Sequence, residues 1–187
     1  MIKLIDILKE VNSETGPCLY PGSFKPPTRG HFEAAKYLAS QPNINKVYVI
    51  ISPVEKHGIS AQDSLFIWRE YLKDDPNPKI EIELSQEGSP MEDVYRYLDV
   101  NSTVTPVYVA AGIDPEETVN FDGFKKRFGD RVKPLQLPQA NQGITSEKMI
   151  QDITSGDFQA FTNDVPVATY NKGGAKKIFD RLIKLIQ

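Results

Sequence analysis

The chain has 187 residues, 40% hydrophobic, 25% charged and 10% aromatic. That length and balance predict a single domain with a sizeable core, and they exclude a multidomain synthetase or a low-complexity chain. Lys and Arg number 22 against 25 Asp and Glu, for a net charge of −3, and the longest basic run is Lys125-Lys126-Arg127. A nucleic-acid footprint is therefore not expected, although a local cluster can still hold a small anion. The single Cys18 excludes an intrachain disulfide and a Cys-based metal site, and with no signal peptide or long apolar run it predicts a cytoplasmic protein that does not span a membrane.

In chain order, residues 2–11 (IKLIDILKEV) set Ile2, Ile5 and Leu8 on one side, a period near that of a helix. β-rich apolar runs follow at 18–22, 47–52, 80–84, 106–111 and 132–137, and amphipathic stretches at 29–40, 61–73, 90–99 and 116–128 fall between them. Ser60 with Asp63, and Ser89 with Pro90 and Glu92, read as helix starts: each is a hydroxyl cap with an acid three residues on. After Gly173-Gly174, Ile178, Leu182, Leu185 and Ile186 repeat at helical spacing. Each terminal helix reads as packed on the body or at a subunit contact, which leaves room for a homo-oligomer, or else as an address peptide for a partner. Continuous strands such as VYVII and VYVAA suit a sheet covered on both faces. The expectation is a doubly wound α/β fold with a mainly parallel, five-stranded sheet, helices on both faces, and helices at both termini. The predicted organisation is an N-terminal helix within 1–15, a core over 17–140 and a helical segment over 143–187.

Ligands of open α/β sheets bind beyond the carboxyl ends of the strands, so the loops there carry the chemistry. The first such loop is Gly22-Ser23-Phe24-Lys25-Pro26-Pro27-Thr28-Arg29-Gly30-His31, running straight into a helix. Neither the glycine-rich dinucleotide fingerprint nor a P-loop occurs anywhere in the chain. Gly22 allows close backbone approach, Thr28 is suited to cap the helix, and free amides at the helix start can face an anion. His31 falls in the first turn.

The pattern G-S-F-x-P-x-T-x-G-H formed by these residues resembles the signature of the HIGH-type nucleotidyltransferases. That superfamily includes nicotinamide-mononucleotide and phosphopantetheine adenylyltransferases, glycerol-phosphate and choline-phosphate cytidylyltransferases and, more remotely, class I aminoacyl-tRNA synthetases. Threonine at the first motif position is similar to the phosphopantetheine branch. The resemblance continues through Ile51-Ser52, Lys56 and Gly58-Ile59-Ser60, then Ala111-Gly112-Ile113-Asp114, then Gly143-Ile144-Thr145-Ser146-Glu147-Lys148-Met149 with Gly156-Asp157-Phe158 and Val165-Pro166. It spans residues 17–166 in order.

The resemblance implies a Rossmann-like fold and transfer of a nucleoside monophosphate from a triphosphate to a phosphorylated small molecule, with pyrophosphate released. It assigns Gly22, Ser23, Phe24, Gly30, His31, Gly112, Asp114, Thr145 and Ser146 to the nucleotide, and His31, Thr28 and Lys148 to catalysis. Lys56 and Ser23 would meet the acceptor phosphate. Mg²⁺ would enter on ATP or CTP, with no metal ligand from the protein. The I-T-S-x-K-M stretch looks more like the adenylyltransferase than the cytidylyltransferase version, so AMP transfer is favoured over CMP transfer.

Four positions depart from the pattern. Lys25 replaces a frequent acid, Thr145 conservatively replaces a serine, Glu147 replaces a hydroxyl residue, and Ile150 stands where an arginine would meet the triphosphate. Lys148 is one candidate to replace that charge, although positions 148 and 150 differ by about 200° around a helix; Lys25 is a second. A protein that binds nucleotide without efficient turnover is the alternative these departures leave open. His57 reads as an exposed loop residue, and Trp68, with Phe66, Ile67, Tyr71 and Leu72, as the apolar side of its helix.

Overall fold

A computed structural model describes residues 15–111, 121–137 and 145–186. The expected N-terminal helix, together with Gly112, Asp114, Gly143 and Ile144, lies outside the described residues.

The strands β1 (Gly16–Gly22), β2 (Ile44–Ile51), β3 (Ile80–Leu84), β4 (Val107–Ala111) and β5 (Val132–Gln136) form a five-stranded sheet in the order β3-β2-β1-β4-β5. Every neighbouring pair is parallel. Between the strands run α1 (Arg29–Ser40), α2 (Ala61–Asp74), α3 (Pro90–Val100) and α4 (Phe121–Phe128). The chain winds outward from β1 to β3, and α3 then carries it back to the far side of β1. Strand order therefore reverses between β1 and β4, the switch point where such sheets bind ligands.

Burial explains the order. All seven residues of β1 are buried, as suits a central strand, whereas β3 (IEIEL) turns Glu81 outward and β5 (VKPLQ) contains Pro134, both tolerable at an edge. β1 holds Pro17 and Pro21 despite its central place, and its register with β4 covers only Cys18 and Leu19, between the two prolines. β1 and β2 begin earlier than their apolar runs, at Gly16 and Ile44, because backbone pairing extends the ladder through residues such as Asn45 and Lys46 that carry no apolar signal.

Side chains alternate across the sheet and build two cores. On one face Cys18, Tyr20, Val47, Val49, Tyr108 and Ala110 join Phe32, Leu38, Trp68 and Tyr71 of α1 and α2. The same core takes in Met149, Phe161, Ile178 and Leu182 from the C-terminal helices α5 (Ser146–Thr154), α6 (Phe158–Phe161), α7 (Val167–Asn171) and α8 (Gly174–Ile186). On the other face Leu19, Ile50, Val107 and Val109 pack against Val94 and Leu98 of α3 and Phe124 of α4.

The two predicted helix starts are present as capping boxes, Ser60 with Asp63 and Ser89 with Glu92, and Pro90 opens α3. In α8, Ile178 and Leu182 are fully buried while Leu185 is exposed. No helix among the described residues is long and apolar enough to cross a membrane.

Candidate active site

The loop Ser23–Thr28 leaves β1 at the switch point. Phe24 adopts a left-handed backbone (φ 53°) and folds its ring back over Gly22, where an added Cβ would come within 2.6 Å of the ring. The ring is buried and meets Tyr20, His31 and Trp68 edge-on, with centroids 5.2, 5.1 and 5.5 Å away. The open space at Gly22 thus accommodates the chain's own phenyl ring.

Two prolines strip the loop of amide donors, so its buried carbonyls need donors from elsewhere. Side chains supply them. The hydroxyl of Ser64 donates to the Phe24 carbonyl at 2.6 Å, Ser146 to that of Pro26 at 2.8 Å, and Tyr71 to that of Pro27 at 2.9 Å. Lys25 reaches the other way and donates its Nζ to the Ser52 carbonyl beyond β2, at 2.9 Å. It is only 1% exposed, and burial lowers its pKa to about 8 despite the nearby charge of Asp63. Burial works against ionisation of Asp63 too, but Ser60 and Arg181 outweigh it and hold the carboxyl below its usual range. Arg181 makes that contact from α8 at 2.7 Å.

The loop ends in a cap whose third helical residue is the motif histidine. The backbone N–H of Thr28 donates to His31 Nδ1 at 2.9 Å, and the Thr28 hydroxyl lies 3.1 Å from the same nitrogen. An amide can only donate, so Nδ1 accepts and the neutral ring carries its proton on Nε2. Thr28 is 1% exposed and His31 partly exposed, so the cap residue is the buried member of the pair. Of the amides at the start of α1, that of Arg29 is already taken by the Asp164 carbonyl at 2.6 Å.

The start of α5 lies against this loop through Ser146. Thr145 caps the helix by accepting the Lys148 amide at 3.1 Å. Lys148 Nζ sits 2.5 Å from Asp152 and 3.5 Å from Asp164, both on their Oδ2 atoms. Asp164 is fully buried; burial, and a hydrogen bond shared with Asp152, raise its pKa to about 6, while Asp152 pulls that of Lys148 up. Ile150 packs against the core.

Lys56 stands on a tight turn closed by two backbone hydrogen bonds with Ile59, of 3.3 and 3.0 Å, with His57 and Gly58 both left-handed. His57 is exposed, as expected of a loop residue. Lys56 Nζ lies 3.5 Å from Glu147, whose pKa is lowered first by its own backbone N–H and then by Lys56. The stretches assigned to the acceptor and to the triphosphate are therefore in contact.

Gly22, Phe24, Thr28, Gly30, His31 and Ser146 are thus gathered around one loop, with Ser23 on it and Thr145, Lys148 and Lys56 at its borders. Gly112 and Asp114 lie outside the described residues. Ser64, Tyr71 and Asp164 belong to the same assembly but carried no sequence signal beyond a hydroxyl on an apolar helix face and an acid before Val165-Pro166. Cys18, the lone thiol, is buried, and burial pushes its pKa up to about 12, which removes it as a nucleophile.

No family model matches the chain. No curated protein matches it either. Solved structures do. A Plasmodium falciparum nicotinic acid mononucleotide adenylyltransferase in complex with NaAD is similar at a TM-score of 0.58 and 14% identity, covering 89% of this chain and 98% of the other. A provisionally named nicotinate-nucleotide adenylyltransferase from Vibrio parahaemolyticus is similar at a TM-score of 0.57 and 15% identity, covering 83% of this chain and 97% of that one. The likeness runs through nearly the whole of both proteins, and the chain has their Rossmann-like α/β fold.

Proposed function

We propose that this protein is a nucleotidyltransferase that moves a nucleoside monophosphate, AMP by preference, from a triphosphate to a phosphorylated small-molecule acceptor. The observation that carries this reading is the Thr28–His31 pair. A buried, clamped cap fixes the imidazole at the start of α1, at the switch point of the sheet, with its proton on Nε2. That is the protonation needed to donate to an α-phosphate oxygen and to the bridging oxygen as pyrophosphate departs. An acceptor phosphate is already ionised, so in-line attack on the α-phosphorus needs positioning and charge stabilisation more than a strong base.

In this reading Gly22, Ser23, Phe24 and Gly30 shape the loop around the triphosphate, and Thr145 and Ser146 flank its far end. Lys56 and Ser23 face the acceptor phosphate, with Lys56 leaving Glu147 to do so. Lys148 contributes charge by leaving Asp152 and Asp164. Gly112 and Asp114 remain assigned to the nucleotide by motif. Mg²⁺ is carried by the triphosphate; the described residues contain no cluster of three or more metal-ligating side chains, and this ion favours phosphate and water oxygens. AMP is preferred to CMP because both fold neighbours are named as adenylyltransferases, one in complex with NaAD.

The test is pyrophosphate release from ATP and CTP across phosphorylated acceptors, with nicotinate and nicotinamide mononucleotides and phosphopantetheine among them, for wild type and His31→Ala. Turnover in the wild type and a loss of at least about a hundredfold in a folded mutant, the scale of one preorganised donor, is expected. Nucleotide binding with no turnover on any pair supports instead the reading of a binding protein, which the apolar setting of Ile150 favours. A folded His31→Ala protein with native turnover refutes the assignment.

A further inference from the structure

With Ile150 packed against the core, the cation that would hold the β and γ phosphates must come from another residue. Three lysines border the loop, and each is engaged. Lys25 is buried against the Ser52 carbonyl, Lys148 is shared by two carboxylates, and Lys56 faces Glu147.

Arg29 differs from all three. It sits between the cap Thr28 and the motif Gly30-His31, it is partly exposed, and its guanidinium has no hydrogen bond, ion pair or ring contact among the described residues. Its backbone is fixed, since its amide donates to the buried Asp164 carbonyl at 2.6 Å. Local stability does not account for it. The positive end of a helix dipole disfavours a cation in the first turn. The first turn of α1 carries no acid to offset that charge; those of α2, α3 and α5 carry Asp63, Glu92 with Asp93, and Glu147, and those of α6, α7 and α8, like α1, carry none. An arginine without a side-chain partner among the described residues, at an electrostatically unfavourable place two residues from the motif histidine, is suited to an anionic ligand, and its planar fork can take two phosphate oxygens at once.

We propose that Arg29 binds the pyrophosphate portion of the triphosphate and takes the place of the arginine absent at position 150. This rests on the nucleotidyltransferase reading above.

The test compares calorimetric affinities of ATP, inorganic pyrophosphate and AMP for wild type, Arg29→Ala and Arg29→Lys. Arg29→Ala should weaken ATP and pyrophosphate by at least about tenfold, the scale of a hydrogen bond to a charged group, and leave AMP unchanged. Arg29→Lys should recover part of the loss. The melting midpoint of Arg29→Ala should not fall, because the removed charge opposes the helix dipole; a purely structural residue would lower it. Wild-type affinity for ATP and pyrophosphate in Arg29→Ala, or an equal loss of AMP, overturns the assignment of Arg29 alone. A wild-type protein that binds neither ATP nor pyrophosphate overturns the nucleotidyltransferase reading and this proposal together.

Discussion

Replacing Lys25 by methionine separates the cost of burying a charge from the value of the contact it makes. The lysine is 1% exposed, and burial lowers its pKa from 10.5 to about 8. A drop of about 2.5 units corresponds to about 3 kcal/mol of stability that the folded chain forgoes while the side chain is charged. The sign follows from proton binding. Between the folded value near 8 and the unfolded value of 10.5 the unfolded chain holds the extra proton, so stability rises with pH across that window and is level on either side. Methionine keeps most of the volume but leaves the Ser52 carbonyl without its donor, at a cost of about 1–3 kcal/mol. At neutral pH the two effects nearly cancel, and Lys25→Met should lie between unchanged stability and a gain of about 2 kcal/mol. Urea unfolding of both proteins at a series of pH values checks this. Wild type should gain stability above the folded value, and the variant should lack that rise. An equal rise in both proteins, or a clear loss of stability in the variant at neutral pH, would show that burying the Lys25 charge carries no such cost.

Other substitutions probe the same loop. Gly22→Ala forces a Cβ to within 2.6 Å of the Phe24 ring; with that ring boxed in by three aromatic neighbours, the overpacking should cost about 1–3 kcal/mol, read as a lower melting midpoint, and a neutral result would mean the ring can move. Tyr71→Phe leaves the buried Pro27 carbonyl unpaired and should lower stability by about 1–3 kcal/mol, or several degrees for a chain of this size, with transfer falling through kcat more than KM. Unchanged stability and kcat would show that the carbonyl has another donor. Lys56→Ala should raise the KM for the acceptor more than that for the triphosphate, and equal effects on both would count against its placement at the acceptor phosphate.

Much of the architecture was legible in the sequence because it is written in local patterns. Apolar runs at strand length, amphipathic stretches between them, and the Ser60–Asp63 and Ser89–Glu92 caps all depend on residues a few positions apart, and the parallel wound sheet follows from their alternation. The motif from Gly22 to His31 marked the candidate site in the same way, since its cap is local: Thr28 and His31 are three residues apart. The tertiary structure decided what distance in the chain conceals. Ser64, Tyr71 and Ser146 lie 40, 44 and 120 positions from the loop carbonyls they satisfy. Periodicity marks Tyr71 as apolar because it cannot see that the hydroxyl at its end needs a partner. The state of each cation was equally hidden. Lys25, Lys56 and Lys148 look alike as charges in a sequence, and only packing buries the first, sets the second beside Glu147 and gives the third to Asp152 and Asp164. Arg29 is left beside the motif histidine without such a partner among the described residues.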